Sequence, residues 1–412
     1  MRHHSVRRPV SLASVLALVL AGAGALVPAI AAAPPQSPGP AQLPAEPSES
    51  PLTLWYRQPA AQWVEALPVG NGRLGAMVFG GIEHERLQLN EDTLWAGGPY
   101  GPLHADAREA LPRVRRLIAN GEFAEAERLI MDQVIARPPR EMPYQTVGDV
   151  TITMAGGASA TDYRRSLDLG TAIARTSFRV ANARYTREVF ASPVDQVIVC
   201  RLTASDPNAP ASAPGRLTAT IAMSTPMAAS ARAEANDTLV LAGVDGDAFG
   251  VKGALTYQAR VRVLVDGGSI VADGTQLRIV AARSATLLIA AATSFRRYDD
   301  VSGDPAAATR QAIAAAATRS LDAIRADHVA EHRRLFRRVM LDLGTTPSAS
   351  LPTDERIRNV AGGADPQLAA LYFQYGRYLL ISSLDPIAPL PYVRAPSSFA
   401  SRSRSDHGGR HV

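Results

Sequence analysis

The chain has 412 residues, 46% hydrophobic and 20% charged, with 31 Gly, 30 Pro and one cysteine. That apolar content excludes wholesale disorder, and about 150 residues per domain allows two or three domains. The lone Cys200 rules out an internal disulfide, and the net charge of +5 sits at the two ends, so the neutral body offers a nucleic-acid backbone no electrostatic footprint.

Arg2, Arg7 and Arg8 precede an apolar stretch from Ser11 to Ile30 that closes on Ala31-Ala32-Ala33. A charged start, an apolar core and a small-residue A-x-A site predict a cleaved export signal over 1–33, hence a periplasmic or extracellular protein in a bacterium, with no membrane contact after cleavage. No cysteine follows to carry a lipid. Residues 34–51, rich in Pro, Ser and Glu, read as a flexible leader.

From 52 to 303 the dominant pattern is short alternating runs rich in β-branched residues. Examples are Val150 to Thr153, Thr176 to Val180, Tyr185 to Phe190, Gln196 to Leu202, Leu217 to Met223, Leu255 to Val265 and Thr286 to Ala292. Turn residues separate them without intervening helices, which predicts a mainly β fold, a large antiparallel sandwich. One insertion breaks the run: Leu111, Val114, Leu117 and Ile118, then Phe123, Ala126, Leu129, Ile130 and Val134, have helical spacing around Asn120-Gly121. They predict a helical hairpin laid against the sandwich.

Asp304-Pro305 opens an Ala/Arg-rich stretch expected to be one long helix to about Arg338, followed by a strand-like Val339 to Leu343. Residues 304–343 are thus read as a helical linker. A further helix over 365–383 carries Leu368, Leu371, Tyr372, Phe373, Tyr375, Leu379, Leu380 and Ile381, apolar nearly all round, so it is expected to need burial on most sides. The Pro/Arg/Ser-rich tail, 384–412, offers nothing to bury it and reads as disordered.

Three motifs invite a chemical reading. Gly70-Asn71-Gly72-Arg73-Leu74-Gly75 matches a dinucleotide-loop pattern, but Ala76-Met77-Val78 continues as a strand where a helix would be required, so a tight β-turn without nucleotide is expected. His328-Val329-Ala330-Glu331-His332 matches an inverted zinc-protease motif, yet Arg333, Arg334, Arg337 and Arg338 follow it and no third ligand is evident. It reads as solvated helix surface, and no metal or other cofactor is expected. Carboxylate pairs matter because glycoside hydrolysis commonly uses two. Glu83/Glu85 and Asp299/Asp300 read as solvated turns, whereas Glu91-Asp92 lies in Leu87-Gln88-Leu89-Asn90-Glu91-Asp92-Thr93-Leu94-Trp95, polar groups between apolar ones with a tryptophan at the end. That block suggests either sugar contacts or structural hydrogen bonds at a sandwich corner.

Leu54-Trp55-Tyr56, Glu65 to Met77, Leu89 to Trp95 with Gly97-Gly98-Pro99, Tyr163-Arg164-Arg165, Arg187-Glu188 and Asp365 to Ser383 together resemble glycoside hydrolase family 95, in order and over about residues 52 to 383. The resemblance implies a β super-sandwich, a helical linker and an (α/α)6 barrel that carries the chemistry: inverting release of α-L-fucose, or α-L-galactose, from glycans without a cofactor. It makes 365–383 the first barrel helix. After Ser383 the chain departs from the family pattern, reading Leu384-Asp385-Pro386-Ile387-Ala388-Pro389, and the rest of the barrel is expected to be missing through a frameshift or early stop. No family catalytic residue therefore maps onto this chain. Asn71, Arg73, Asn90, Glu91, Asp92 and Trp95 are the substrate-binding candidates, with a fucosylated glycan as partner. The expected function is the catalytically inactive N-terminal part of an exported fucosidase; the alternative is a non-catalytic carbohydrate-binding sandwich or a gene remnant.

Overall fold

The structure is a computed structural model that describes residues 50–154, 159–206, 216–363 and 365–383. The expected export signal, nearly all of the leader and the tail from 384 lie outside the described residues. Sixteen strands occur among the described residues. The first five are β1 (Thr53–Tyr56), β2 (Leu67–Gly70), β3 (Leu74–Val78), β4 (His84–Glu91) and β5 (Gly148–Thr153). Then come β6 (Thr161–Asp168), β7 (Ile173–Val180), β8 (Ala183–Ser192), β9 (Val197–Ser205) and β10 (Leu217–Ser224). The last six are β11 (Ala229–Ala235), β12 (Thr238–Val244), β13 (Thr256–Asp266), β14 (Ser269–Asp273), β15 (Gln276–Ala282) and β16 (Ser284–Thr293).

They form two sheets with antiparallel pairing throughout, one of nine strands in the order β1-β6-β7-β8-β9-β16-β13-β12-β11 and one of seven in the order β14-β15-β10-β5-β4-β3-β2. The mainly β super-sandwich expected from the alternating runs is present. Strand parity builds its inner core: Leu87 and Leu89 of β4 share a face with Val150 and Ile152 of β5, and meet Val189, Ile198 and Cys200 of the other sheet. Burial pushes the Cys200 thiol up to about 12, so it packs as a small neutral apolar group. The nine-stranded sheet has a second core on its outer face, where Phe190, Val197, Val199, Leu288 and Ala290 meet helices. This explains why β16 is buried on both faces over its first eight residues.

The insertion forms helices α1 (Ala107–Ala119) and α2 (Phe123–Gln133). They pack chiefly on each other rather than across the sandwich, burying Ala110, Val114, Ala126 and Leu129 and leaving Leu111, Ile118 and Phe123 exposed. The expected long linker helix is two: α3 (Pro305–Ala317) and α4 (Leu321–Phe336). Asp304 caps the first through Ala307 N, and Ser320 caps the second through Ala323 N, so the serine starts a new helix where a continuous one was expected. Val339 to Leu343 is extended chain without strand partners, not a strand.

A short helix missed in the sequence, α5 (Thr353–Asn359), covers the edge of β1: Thr353 Oγ1 accepts from Trp55 N at 2.9 Å, and Glu355 pairs with Arg57. Helix α6 (Pro366–Ser383) docks beside β2 and α4. Its fully buried Tyr378 donates to Pro68 O at 2.6 Å, and Leu371 joins the core, while Tyr372 (77% exposed), Phe373 and Leu380 face solvent. The expected burial on most sides is met only in part: among the described residues the sandwich and linker cover one face of the helix. No helix of the described residues is long and apolar enough to cross a membrane.

Candidate functional site

The Gly70 to Gly75 motif is the turn of the β2–β3 hairpin, as expected. Asn71 Oδ1 accepts from Leu74 N (2.7 Å) and Arg73 N (3.2 Å), and its Nδ2 donates across the sandwich to Ser192 O (2.9 Å). Gly72 adopts a left-handed φ of 92° and donates its N–H to Ser382 O at 2.8 Å. A Cβ at Gly70 would sit 2.6 Å from that same carbonyl. The glycines serve close approach of the α6 C-terminus, whose last carbonyls have no partner within the helix.

Arg73 spans the gap between the sheets. Its Nε donates to Gln196 Oε1 (2.9 Å), and Nη1 donates to Ala291 O (2.7 Å) and pairs with Glu91 Oε1 (3.4 Å). Glu91 Oε2 accepts from Thr93 N (2.8 Å) and Thr93 Oγ1 (2.7 Å). Burial raises the Glu91 pKa, against the pull of the Thr93 hydroxyl and the Arg73 charge. Tyr144 donates to Glu91 O, and the Trp95 indole donates to Asp92 O at 3.0 Å and meets the Tyr144 ring edge-on at 4.9 Å. Five of the six candidates (Asn71, Arg73, Glu91, Asp92 and Trp95) are therefore tied into one hydrogen-bonded corner. Asn90 differs, because strand parity sends it to the outer face of the seven-stranded sheet, beside Gly75. Asn90 Oδ1 and its neighbour Gln88 Oε1 are buried acceptors with no donor among the described residues.

The same parity overturns the reading of Glu85 as solvated. Glu85, Leu87, Leu89 and Glu91 share the inner face of β4, so a carboxylate sits at each end of a core stripe. Glu85 is buried against Arg187 of the facing sheet and also accepts from Gly80 N and Arg86 N. Burial raises its pKa, with Arg187 pulling the other way. Asp299 and Asp300 are largely solvated, as expected.

The histidine motif is neither metal site nor solvated surface, and the earlier reading is corrected. His328 is 1% exposed, its Nε2 directed to Thr171 O at 3.0 Å and its ring 4.7 Å from that of Phe190. His332 directs Nε2 to Leu169 O at 2.7 Å. Both imidazoles direct Nε2 to backbone carbonyls of the turn before β7, and burial, helped by His332, lowers the His328 pKa to about 4. The sequence reading also missed Arg187, Gln196 and Ser382. Alternation along β8 could have placed Arg187 inward; the other two are long-range partners that leave no local signal.

Between α3–α4 and the nine-stranded sheet lies a cavity of about 210 Å³, with Arg201, Asp266, Thr286 and Arg319 as its polar lining. It holds one carboxylate, where glycoside hydrolysis commonly uses two.

Comparison with known proteins fits this frame. Residues 54–298 match the model described as glycosyl hydrolase family 65, N-terminal domain, and residues 320–392 match the glycosyl hydrolase family 95 catalytic domain. The chain is 33% identical over 370 residues to alpha-L-fucosidase 2 of Arabidopsis thaliana, an alignment covering 82% of this chain and 42% of that protein. It is 29% identical over 361 residues to a probable alpha-fucosidase A of Aspergillus niger, covering 81% and 43%, and 29% identical over 365 residues to that of Aspergillus oryzae, covering 80% and 47%. The chain thus spans less than half the length of the curated relatives it matches. With more than half of its residues matched to the first model and the second following in order, the chain belongs to the glycoside hydrolases that join a family 65 N-terminal domain to a family 95 catalytic domain.

Proposed function

We propose that this chain is the N-terminal part of an exported, inverting α-L-fucosidase-like glycoside hydrolase, and that its own residues scaffold and meet the glycan without cleaving it. The observation that carries this reading is the fate of the two carboxylates buried at the ends of the β4 core stripe. Glu85 and Glu91 are held by Arg187, Arg73, Thr93 and backbone amides, whereas glycoside hydrolysis commonly uses a pair of carboxyl groups flanking the scissile bond. The fucosidase relatives supply the substrate class, with L-galactose as the related sugar. Within the corner, Arg73 and Trp95 keep part of their surface toward solvent and are the proposed glycan contacts, while Asn71 and Glu91 hold them in place. The purified chain is expected to release no phenol above buffer from an aryl α-L-fucoside; measurable turnover would overturn the non-catalytic reading. Export is tested by expression in a bacterium, where the mature protein should begin just after Ala33.

A further inference from the structure

Asn236 is the one asparagine of the chain followed two residues later by serine or threonine, in Asn236-Asp237-Thr238. With no proline between them, this is the acceptor pattern for N-linked glycans, though three residues alone are a weak signal. The fold gives the pattern its weight. Ala235 pairs with Thr238 across the β11–β12 hairpin, so Asn236 and Asp237 form its two-residue tip. Asn236 is exposed, and its side-chain amide has no partner among the described residues. Asn71, in the β2–β3 turn, is the opposite case: it is 4% exposed and donates its Nδ2 to Ser192 O.

The other two residues of the pattern are closed off once the chain folds. Thr238 is 6% exposed, and its hydroxyl donates to Asp237 Oδ1 at 2.7 Å. Asp237 in turn accepts from Arg262 Nε at 2.9 Å and, through its carbonyl, from Val263 N at 2.8 Å. The pattern admits only serine and threonine, whose shared group is the hydroxyl, so a transferase must reach that hydroxyl. It meets Thr238 open only before β11 and β12 close. Asn236 stays outside the packing afterwards, and a group added to it leaves the fold unchanged.

The tip also stands where a bulky hydrophilic group has an effect. Strand β11 ends the nine-stranded sheet and β14 ends the seven-stranded one. Ala233 N donates to Gly274 O of the β14–β15 turn at 3.0 Å, so the two open edges meet beside the tip. A glycan there would keep other chains from pairing with either edge.

We propose that Asn236 carries an N-linked glycan, added while the exported chain is still unfolded. This rests on the reading of the chain as exported, and not on any hydrolysis or glycan binding. The donor is an oligosaccharide carried on a lipid pyrophosphate. The Asn236 amide nitrogen bonds to its anomeric carbon, and the bond from that carbon to the pyrophosphate oxygen breaks. The lipid pyrophosphate leaves with the electron pair, and the amide proton passes to a base of the transferase. Mass spectrometry of the full chain, taken from the periplasm or medium of the organism that makes it, tests this. The tryptic peptide 233–252 should be heavier by a whole number of sugar residues. Asn236→Gln and Thr238→Val, produced in the same organism, should leave it bare, and Thr238→Ser should keep the glycan. A chain that begins just after Ala33 with a bare peptide 233–252 would overturn the site and leave export standing. A chain found only inside the cell, with residues 1–33 still attached, would overturn the export reading and the site together.

Discussion

Helices α4 and α6 lie side by side and contradict their own compositions. The first is polar, with two histidines and three arginines in Leu321–Phe336, yet it buries His328, His332 and Phe336. The second is the more apolar helix, yet it leaves Tyr372, Phe373 and Leu380 in solvent. What decides burial is the partner each helix meets. Helix α4 lies on a β-sheet whose neighbouring turn presents the carbonyls of Leu169, Gly170 and Thr171, and His332, Arg333 and His328 reach them while the two rings fill space. Helix α6 meets the sheet along one side only.

The largest expected effect breaks the docking of α6. Tyr378→Ala removes a fully buried ring and its bond to Pro68 O, at a cost of about 3–5 kcal/mol. Hydrogen exchange should then lose protection over 366–383 while β13 and β16 keep theirs. Tyr378→Phe should cost only about 1 kcal/mol. Protection of α6 that survives Tyr378→Ala would mean that the helix is held by other contacts.

Next comes the buried histidine. Because the His328 pKa falls from 6.5 to about 4 on folding, the unfolded chain binds the proton more readily. The stabilisation is therefore complete above about pH 6.5 and is lost as the pH falls toward 4, a change of about 3 kcal/mol. Glu85 and Glu91, whose values are raised, act in the opposite sense over the carboxylate range. The informative measurement is therefore the difference between the wild type and His328→Gln, which keeps an N–H for Thr171 O. Denaturant midpoints from pH 7 to 4 should slope less in the variant; parallel curves would mean that His328 does not supply the slope.

The smallest effect concerns the open face. Tyr372→Lys with Phe373→Lys should shift stability by no more than about 0.5 kcal/mol per site. The wild type should self-associate on size-exclusion chromatography and the double variant should not. A marked loss of stability would show that these side chains are packed after all.

The sandwich was legible where strands alternate cleanly, as in β5, β8 and β13. Strands β11 and β14 were not, because their short Ala- and Ser-bearing runs lie at exposed sheet edges and carry little apolar contrast. The break between α3 and α4 was hidden because Ala and Arg favour helix on both sides of Ser320, and one capping serine is a weak local signal. At the candidate corner, the Gly70 to Gly75 turn could be read from its glycines and the strand that follows. The partners of Arg73 could not: Gln196 and Ala291 are more than 120 residues away. The same parity that aligned the apolar residues of β4 would have turned Glu85 inward, had it been applied to charged residues as well.

The nine-stranded sheet has an order of assembly built into it. Its last strand in sequence, β16, stands in the middle, hydrogen-bonded to β9 on one side and β13 on the other. Until the ribosome has delivered Thr293, β9 and β13, both carrying valines, lack the strand that joins them. Open edges of this kind invite pairing with another nascent chain. Synthesis that stalls a few dozen residues before α3 would therefore be more hazardous to the cell than a stop anywhere in the helices beyond.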